Sequence, residues 1–282
     1  MHPAQIFMVK IIYILLCHGP TAPIKRLISQ LVKSDGTGEI ILHYDKRDAA
    51  DNYNDLRRFK ETCPSCHLLN GANRATGDWG TFGLIQGVLN ALYYIKRHKL
   101  EHTHCYLLSG ACFPIRPLDE LKRFLDVNPR AEFIECQNSA WIKDGIREDR
   151  YLYHHPLSKR RFPVLFRWMY LLQKKLLLRR KPVYDLEIRF GSQWWCLTRD
   201  TISKILCFIE SRKDVVKFFR TVWIPDECFF QTLVKHICVS SVICNKTLTY
   251  YSFDDAGKPR IYFEKDITAR MREDYFFIRK YK

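Results

Sequence analysis

The sequence lacks most of the short signatures by which nucleotide and ester chemistry is read. There is no G-x-x-x-x-G-K-[ST] loop, which argues against a P-loop enzyme. No G-x-G-x-x-G follows the first apolar segment, so a dinucleotide fold loses support. No G-x-S-x-G occurs, and an α/β-hydrolase loses support with it. A long apolar run is also missing. The N-terminal stretch MHPAQIFMVKIIYILLCHGP is apolar for about a dozen residues and is broken by Lys10, short of the ~20 that a spanning helix needs. No small-residue cleavage site follows; Cys17-His18-Gly19-Pro20 reads as a strand end and turn. The expectation is a buried strand, with a signal segment as the alternative. Acid is scarce: 30 Asp and Glu stand against 46 Lys and Arg, a formal net charge of +16. That excess predicts an anionic partner, whether nucleic acid, nucleotide phosphate or an acidic membrane face.

The 282 residues suit one large domain or two small ones, and 47% apolar with 27% charged residues describes a globular chain. Eleven cysteines are scattered through apolar segments such as YILLC and WWCL, as small core residues in a reducing compartment would be. CPSCH (63–67) matches the C-x-x-C-H pattern of covalent haem attachment. That chemistry needs export, and no export signal is visible. Zinc would need a second ligand pair at suitable spacing, which is absent, so a plain loop is expected.

Strands and helices alternate through the N-terminal half. VKIIYILLC (9–17) is continuously apolar, as a strand buried on both faces would be. Residues 20–33 have helical spacing at Ile24, Leu27, Ile28 and Leu31. EIILHYD (39–45) is a second strand, 79–98 a long helix with Leu84, Val88, Leu92 and Ile95 on one face, HCYLLSG (104–110) a third strand, 117–127 a helix, and AEFIEC (131–136) a fourth strand. This order predicts a parallel sheet covered by helices, with ligands beyond the carboxyl ends of its strands, where His18, Asp45, Ser109 and Glu135 stand. Residues 151–182 break the pattern. KRRFPVLFRWMYLLQKKLLLRRK carries nine Lys and Arg and no acid, which suits either a helix lying on an anionic membrane surface or a solvated helix with an aromatic core face. GSQWWCLTRDTISKIL (191–206) resumes with a turn, a short aromatic strand and a helix from Thr198. No internal repeat or low-complexity segment is present.

A strand-end cleft with excess positive charge suggests a nucleotide or nucleotide-sugar. Most α/β transferases of that kind hold a divalent metal through Asp-x-Asp, and no Asp-x-Asp occurs in this chain; the nearest pair, Asp254 and Asp255, is adjacent and in a loop. Without a metal, Arg and Lys must offset a leaving diphosphate, and the C-terminal KPR and IRKYK can supply them.

Seven blocks in order resemble the core-2/I-branching β-1,6-N-acetylglucosaminyltransferases, the family that also contains peptide O-xylosyltransferase. They are YILLCHGPTAPIKRLISQL, ILHYDK, WGTFGLIQGVLNAL, YLLSGACFPIRPLDEL, GSQWWCLTRD, IPDECFFQTL and FFIRKY, spanning nearly the whole chain. The resemblance implies an α/β GT-A-type fold in a single domain over 1–282: a nucleotide-binding half (1–150), a basic amphipathic insertion (151–182) and an acceptor and catalytic half (183–282). It implies inverting transfer of a sugar, GlcNAc or xylose, from a UDP-sugar to a glycan hydroxyl, with no divalent metal and no cofactor. Position by position, Glu227 falls on the catalytic base. Lys280 and Arg260 fall on the pair that holds the donor diphosphate, and His18 and Asp45 on nucleotide contacts. Glu135, Lys143 and, one position off, Arg147 fall on residues that contact sugar hydroxyls. Apart from the resemblance, Trp195 is a candidate aromatic face on which a sugar could stack. The family's acid in the Ser-Gly-x-Asp-Phe-Pro block is Cys112 here. No lumenal anchor or disulfide set is evident, so a bacterial-type cytoplasmic enzyme, peripheral to an anionic membrane and without nucleic acid as a partner, is the expectation.

Local physics offers plainer roles for the same residues. Asp226 and Glu227 follow Pro225 and could both be helix-start acids. His18 could be a satisfied strand-end histidine and Asp45 a helix cap. Arg260 and Lys280 could be solvated tail charges, Glu135 and Lys143 a surface pair, and Trp194 and Trp195 core. At the level of the whole chain, the rivals are a non-catalytic glycan-binding relative and a basic nucleic-acid binder, for which no module is present.

Overall fold

The computed structural model describes residues 9–143, 145–183, 185–255 and 257–282. The signal-segment alternative concerned a stretch whose residues 1–8 lie outside that set. From Ile11 the run is a strand, β1 (Ile11–Cys17), with all seven residues buried. After it come α1 (Thr21–Ser34), β2 (Glu39–Tyr44), α2 (Ala50–Glu61), β3 (Cys66–Leu68), α3 (Gly83–His98), β4 (His104–Ser109), β5 (Cys112–Pro114), α4 (Leu118–Asp126) and β6 (Phe133–Ile134). The rest of the chain forms α5 (Asp149–Leu152), α6 (Pro163–Lys175), β7 (Trp195–Thr198), α7 (Arg199–Ser211), α8 (Lys213–Phe219), α9 (Phe229–Ile237), β8 (Thr249–Tyr251), α10 (Ala269–Asp274) and β9 (Phe277–Arg279).

The architecture is the expected α/β class, a mostly parallel central sheet with helices on both faces. Its six strands run in the order β3-β2-β1-β4-β7-β6. β1 pairs in parallel with β2 and β4, and β2 with β3, while β7 runs antiparallel between β4 and β6. Successive strand side chains point to opposite faces, so β1 feeds two cores. Ile12, Ile14 and Leu16 pack with α3, α7 and α9. Ile11, Tyr13, Leu15 and Cys17 pack with α1 and α4. Burying each such aliphatic side chain contributes about 1.5–3 kcal/mol, which is why the strands read as unbroken apolar runs.

Several elements differ from expectation. The strand expected over 131–136 is β6, two residues long, held beside β7 by the buried Glu132. Its carboxylate accepts from the Thr198 N–H (2.9 Å) and from the hydroxyls of Thr198 and Thr201 (both 2.6 Å). The helix expected from 79 begins at Gly83, because residues 79–82 form a turn. CPSCH is a turn running into β3 rather than a plain loop. Burial pushes the Cys66 thiol up to about 12, and His67 bonds Glu39 (2.9 Å) and the Tyr94 hydroxyl (3.2 Å). All eleven cysteines are free, and no group of three His, Cys, Asp or Glu among the described residues is placed to hold a metal ion.

A second sheet of order β5-β9-β8 was not foreseen. β5 follows β4 almost directly, and β9 pairs with it antiparallel, Cys112 opposite Arg279. β8 lies parallel to β9 with Tyr251 opposite Arg279. This sheet carries the C-terminal tail back to the C-terminal edge of the main sheet. No helix among the described residues is long and apolar enough to cross a membrane.

Candidate active site

Because β1, β2, β4 and β6 point the same way, the residues that follow them gather at one edge. His18 is exposed just past β1, and Asp45 is buried just past β2. Their loops are tied: Asp45 N–H donates to the Cys17 carbonyl (2.9 Å) and Gly19 N–H to the Asp48 carboxylate (2.8 Å). Asp45 caps no helix. Its carboxylate accepts from the N–H groups of Arg47 (2.9 Å) and Gly77 (2.8 Å) and from the Arg47 guanidinium (3.2 Å). Burial opposes its ionisation, but the Arg47 side chain and those two N–H groups outweigh it, and the carboxyl is held below its ordinary range.

The loop that Asp45 anchors leads to the turn before α3. There Gly80, at φ +76°, accepts the Ile224 N–H through its carbonyl (3.1 Å), and a side chain at 80 would sit 3.0 Å from the Trp223 indole nitrogen. Ile224 itself has φ +53°, an unfavourable region for a β-branched residue. Strain of this kind persists only where its surroundings enforce it. Here it immediately precedes Pro225-Asp226-Glu227, a single 3₁₀ turn separated from α9 by Cys228. Phe229, Phe230 and Leu233 are buried and fix the start of α9.

The two adjacent acids have different surroundings. Glu227 is about a quarter exposed at its side chain (25%), and its Oε2 accepts from Arg150 Nη1 at 2.6 Å. No described donor bonds Oε1. Arg150 is buried in α5, with its Nε donating to the Ile146 carbonyl (3.1 Å). Burial raises the Glu227 pKa, and the Arg150 charge and hydrogen bond pull it back without cancelling the rise. Asp226 is buried with no described partner for Oδ1. Burial, followed by the Glu227 charge, pushes it up to about 7. Neither acid caps α9, because no side chain caps that helix.

Asp226 therefore carries a pH signature. The folded chain holds a proton there that the unfolded chain loses near pH 4, so its contribution to stability falls as pH rises from about 4 to 7, and levels off above. Asp226→Asn is expected to raise stability relative to the parent by roughly 2 kcal/mol more at pH 8 than at pH 5. Urea unfolding at the two values measures this, and an equal effect at both contradicts it.

Glu135 sits against the same turn. Its carboxylate accepts from the Ser192 N–H (2.7 Å) and from the Tyr251 hydroxyl (2.9 Å). Gly191 donates its N–H to the Glu227 carbonyl (3.0 Å), and a Cβ there would lie 2.3 Å from the Glu135 carbonyl oxygen, so glycine lets the two segments close together. Burial raises the Tyr251 phenol far above its ordinary value, and the Glu135 charge adds to that.

Among the tail residues, Arg260 and Lys280 are brought side by side, with Lys280 N–H donating to the Arg260 carbonyl (3.3 Å). Burial lowers the Lys280 pKa, and the Arg279 and Arg160 charges lower it further. Arg279 lies 4.8 Å from the centre of the Trp194 ring, and its Nε is buried without a described partner. No described carboxylate is within ion-pair distance of Arg160, Arg260, Arg279 or Lys280. Cys112 is buried beside Arg279, and accepts from the Ser109 N–H (3.3 Å). Burial raises its thiol, so a neutral group faces the Arg279 guanidinium.

Lys143 and Arg147 are exposed in the segment leading to α5, and no recorded hydrogen bond joins either to Glu135 or Glu227. The arginine that reaches the acid is Arg150, which the sequence reading did not single out, although it lies one helical turn beyond Arg147. Trp195 is a correction: at 1% exposure, packed on Phe230 (5.1 Å between rings), it presents no face to a sugar. Tyr251, Ser192 and Arg279 were also not singled out. Arg279 had a signal, since it adjoins Lys280 in FFIRKY.

Fold and site together place a carboxylate fixed by a buried arginine, Glu227, at the C-terminal edge of an α/β sheet, with the buried Arg279 near the adjacent Asp226. The family model for Core-2/I-Branching enzymes matches residues 11–273. The chain belongs to that family, which is one of glycosyltransferases. It is similar to the xylosyltransferase oxt of Drosophila melanogaster, 24% identical over 251 residues. That match takes in 86% of this chain and 26% of the relative, so the chain spans about a quarter of the relative's length. Among solved structures it overlaps the S. cerevisiae mannosyltransferase Ktr4p in complex with GDP (TM-score 0.43, 8% identity, 82% of this chain and 68% of that one). It also overlaps S. aureus TarS 1-349 (TM-score 0.34, 13% identity, 61% and 50%). Overlaps this loose carry no residue roles.

Proposed function

We propose that the chain transfers a sugar from a UDP-sugar to a glycan hydroxyl with inversion, using Glu227 as general base and no divalent metal. The observation that carries this reading is the Glu227 carboxylate, fixed through one oxygen by Arg150 and open at the other, on a strained turn at the C-terminal edge of the sheet. A sugar hydroxyl is a poor nucleophile until its proton is taken, and a carboxylate within hydrogen-bond reach contributes about 10²–10⁴-fold. Arg150 opposes the rise that burial causes in the Glu227 pKa and holds the carboxylate's orientation. Glu135, bonded to Ser192 and Tyr251, is a fixed acceptor for sugar hydroxyls beside the base. On the opposite face of the anomeric carbon, charge develops on the diphosphate. Lys280 and Arg260, with Arg279 and Arg160 beside them, supply preorganised positive charge there. His18 and Asp45 frame the nucleotide end of the cleft. GlcNAc or xylose is the donor sugar the family resemblance suggests; a surface polysaccharide as acceptor is our own reading and does not come from the family.

Metal independence is tested directly. With no Asp-x-Asp in the chain, turnover of the donor is expected to persist undiminished in excess EDTA. Complete loss, restored by added manganese, overturns this part of the proposal.

A further inference from the structure

Helix α6 buries one face and leaves the other bare. On its inner side Phe166 stacks on His155 (5.0 Å) and packs on Trp223 (5.5 Å). The Tyr170 hydroxyl donates to Asp149 (2.5 Å), and the Gln173 side chain both accepts from His154 N–H (2.9 Å) and donates to its carbonyl (3.0 Å). The helix is thus anchored in one rotation. Its outer face carries Val164, Trp168, Leu171 and Leu172 at the i, i+4, i+7, i+8 spacing of a single stripe. Trp168 is 59% exposed and Val164 81%, and Leu176–Leu178 extend the stripe past the helix end. An exposed apolar surface of this extent on an anchored helix marks an interaction site.

The charges beside it choose the occupant. Residues 159–181 contain nine Lys and Arg and no acid. Arg167 and Lys175, on the helix itself, have no described carboxylate within ion-pair distance. A second copy of this chain docked on the same face would bring these cations together, whereas an anionic bilayer complements both the stripe and its rim. At 13 residues the helix is about 20 Å long. That is shorter than the ~30 Å hydrocarbon core, so it lies in the interface plane rather than across it.

We infer that the outer face of α6 docks the protein on an anionic membrane surface, with Val164, Trp168, Leu171 and Leu172 entering the headgroup–acyl boundary and Arg167 and Lys175 meeting lipid phosphates. Interfacial binding of this kind combines buried apolar area with attraction to anionic lipid. The inference stands apart from the transfer reaction. It does bear on it, because Phe166 rests on Trp223, two residues before Pro225, and the Arg160 charge reaches Lys280, so the helix borders the candidate site.

Co-sedimentation of the full chain with vesicles tests it. Binding is expected to phosphatidylcholine–phosphatidylglycerol vesicles, to weaken with added salt, and to be absent with pure phosphatidylcholine. Free inorganic phosphate at the same headgroup concentration should not displace it. The paired substitutions Trp168→Ala with Leu172→Ala, and Arg167→Gln with Lys175→Gln, should each lower the partition by about tenfold or more. All four residues are exposed, and an unchanged melting temperature shows that the fold is retained. Equal binding to neutral vesicles, no binding to either kind, undiminished binding by both variants, or self-association abolished by Trp168→Ala overturns the inference.

Discussion

Glu227→Gln should abolish transfer while leaving UDP binding within about twofold of the parent. Glutamine keeps the shape of the side chain and can still accept a hydrogen bond from Arg150 through its amide oxygen, so the turn should survive. It cannot take a proton. The expected loss in kcat is about 10²–10⁴-fold, the usual contribution of a positioned general base. Loss in kcat and kcat/KM together, with donor affinity retained, is the mark of an interaction made only in the transition state. Steady-state kinetics with calorimetric titration of UDP separates the two quantities. Near-normal turnover would remove Glu227 from the chemistry.

Lys280→Ala should have the second largest effect, and of a different kind. Arg160, Arg279 and Lys280 lie near one another without a described carboxylate in ion-pair range, and the Lys280 pKa is lowered by burial and by those two neighbours. Like charges gathered this way oppose one another until an anion arrives. Removing Lys280 should therefore leave the melting temperature unchanged or raise it. It should weaken UDP binding and lower kcat/KM by about 10²–10³-fold, the range for loss of a preorganised electrostatic contact. Thermal melts and UDP titration of the variant measure both. A clear loss of stability with donor affinity intact would make Lys280 a structural residue.

How much of this could be read from the sequence depends on the range of the interactions concerned. β1, β2 and β4 were legible because strands buried on both faces must be continuously apolar, and α1 because its buried Ile24, Leu27, Ile28 and Leu31 fall at helical spacing. The second sheet was not. Its strands are three residues each, too short for a period to show, and Cys112 meets Arg279 only in the folded chain. Arg150 was hidden for the same reason: its contact with Glu227 spans 77 positions, and nothing local distinguishes it from Arg147. Trp195 lies at the start of a strand, where an aromatic could face either core or cleft, and the structure turns it into the core.

Pro225-Asp226-Glu227 is the most instructive stretch. Local rules gave both acids to the helix start, but the helix begins only at Phe229, and Ile224 at positive φ aims the intervening turn. Asp226 points into the protein without a described partner for Oδ1, and Glu227 to Arg150 at the cleft. The resemblance to a known family separated the two acids. The geometry adds a physical difference between them: Asp226 is buried with no described hydrogen-bond partner for Oδ1, and Glu227 is bonded to a guanidinium.

Incubating the purified chain with a panel of UDP-sugars in EDTA, and following UDP release, tests the central claim most directly. UDP-GlcNAc or UDP-xylose should be bound and slowly hydrolysed even without acceptor, and release should stop in Glu227→Gln. Failure of every UDP-sugar to bind or turn over would contradict the account.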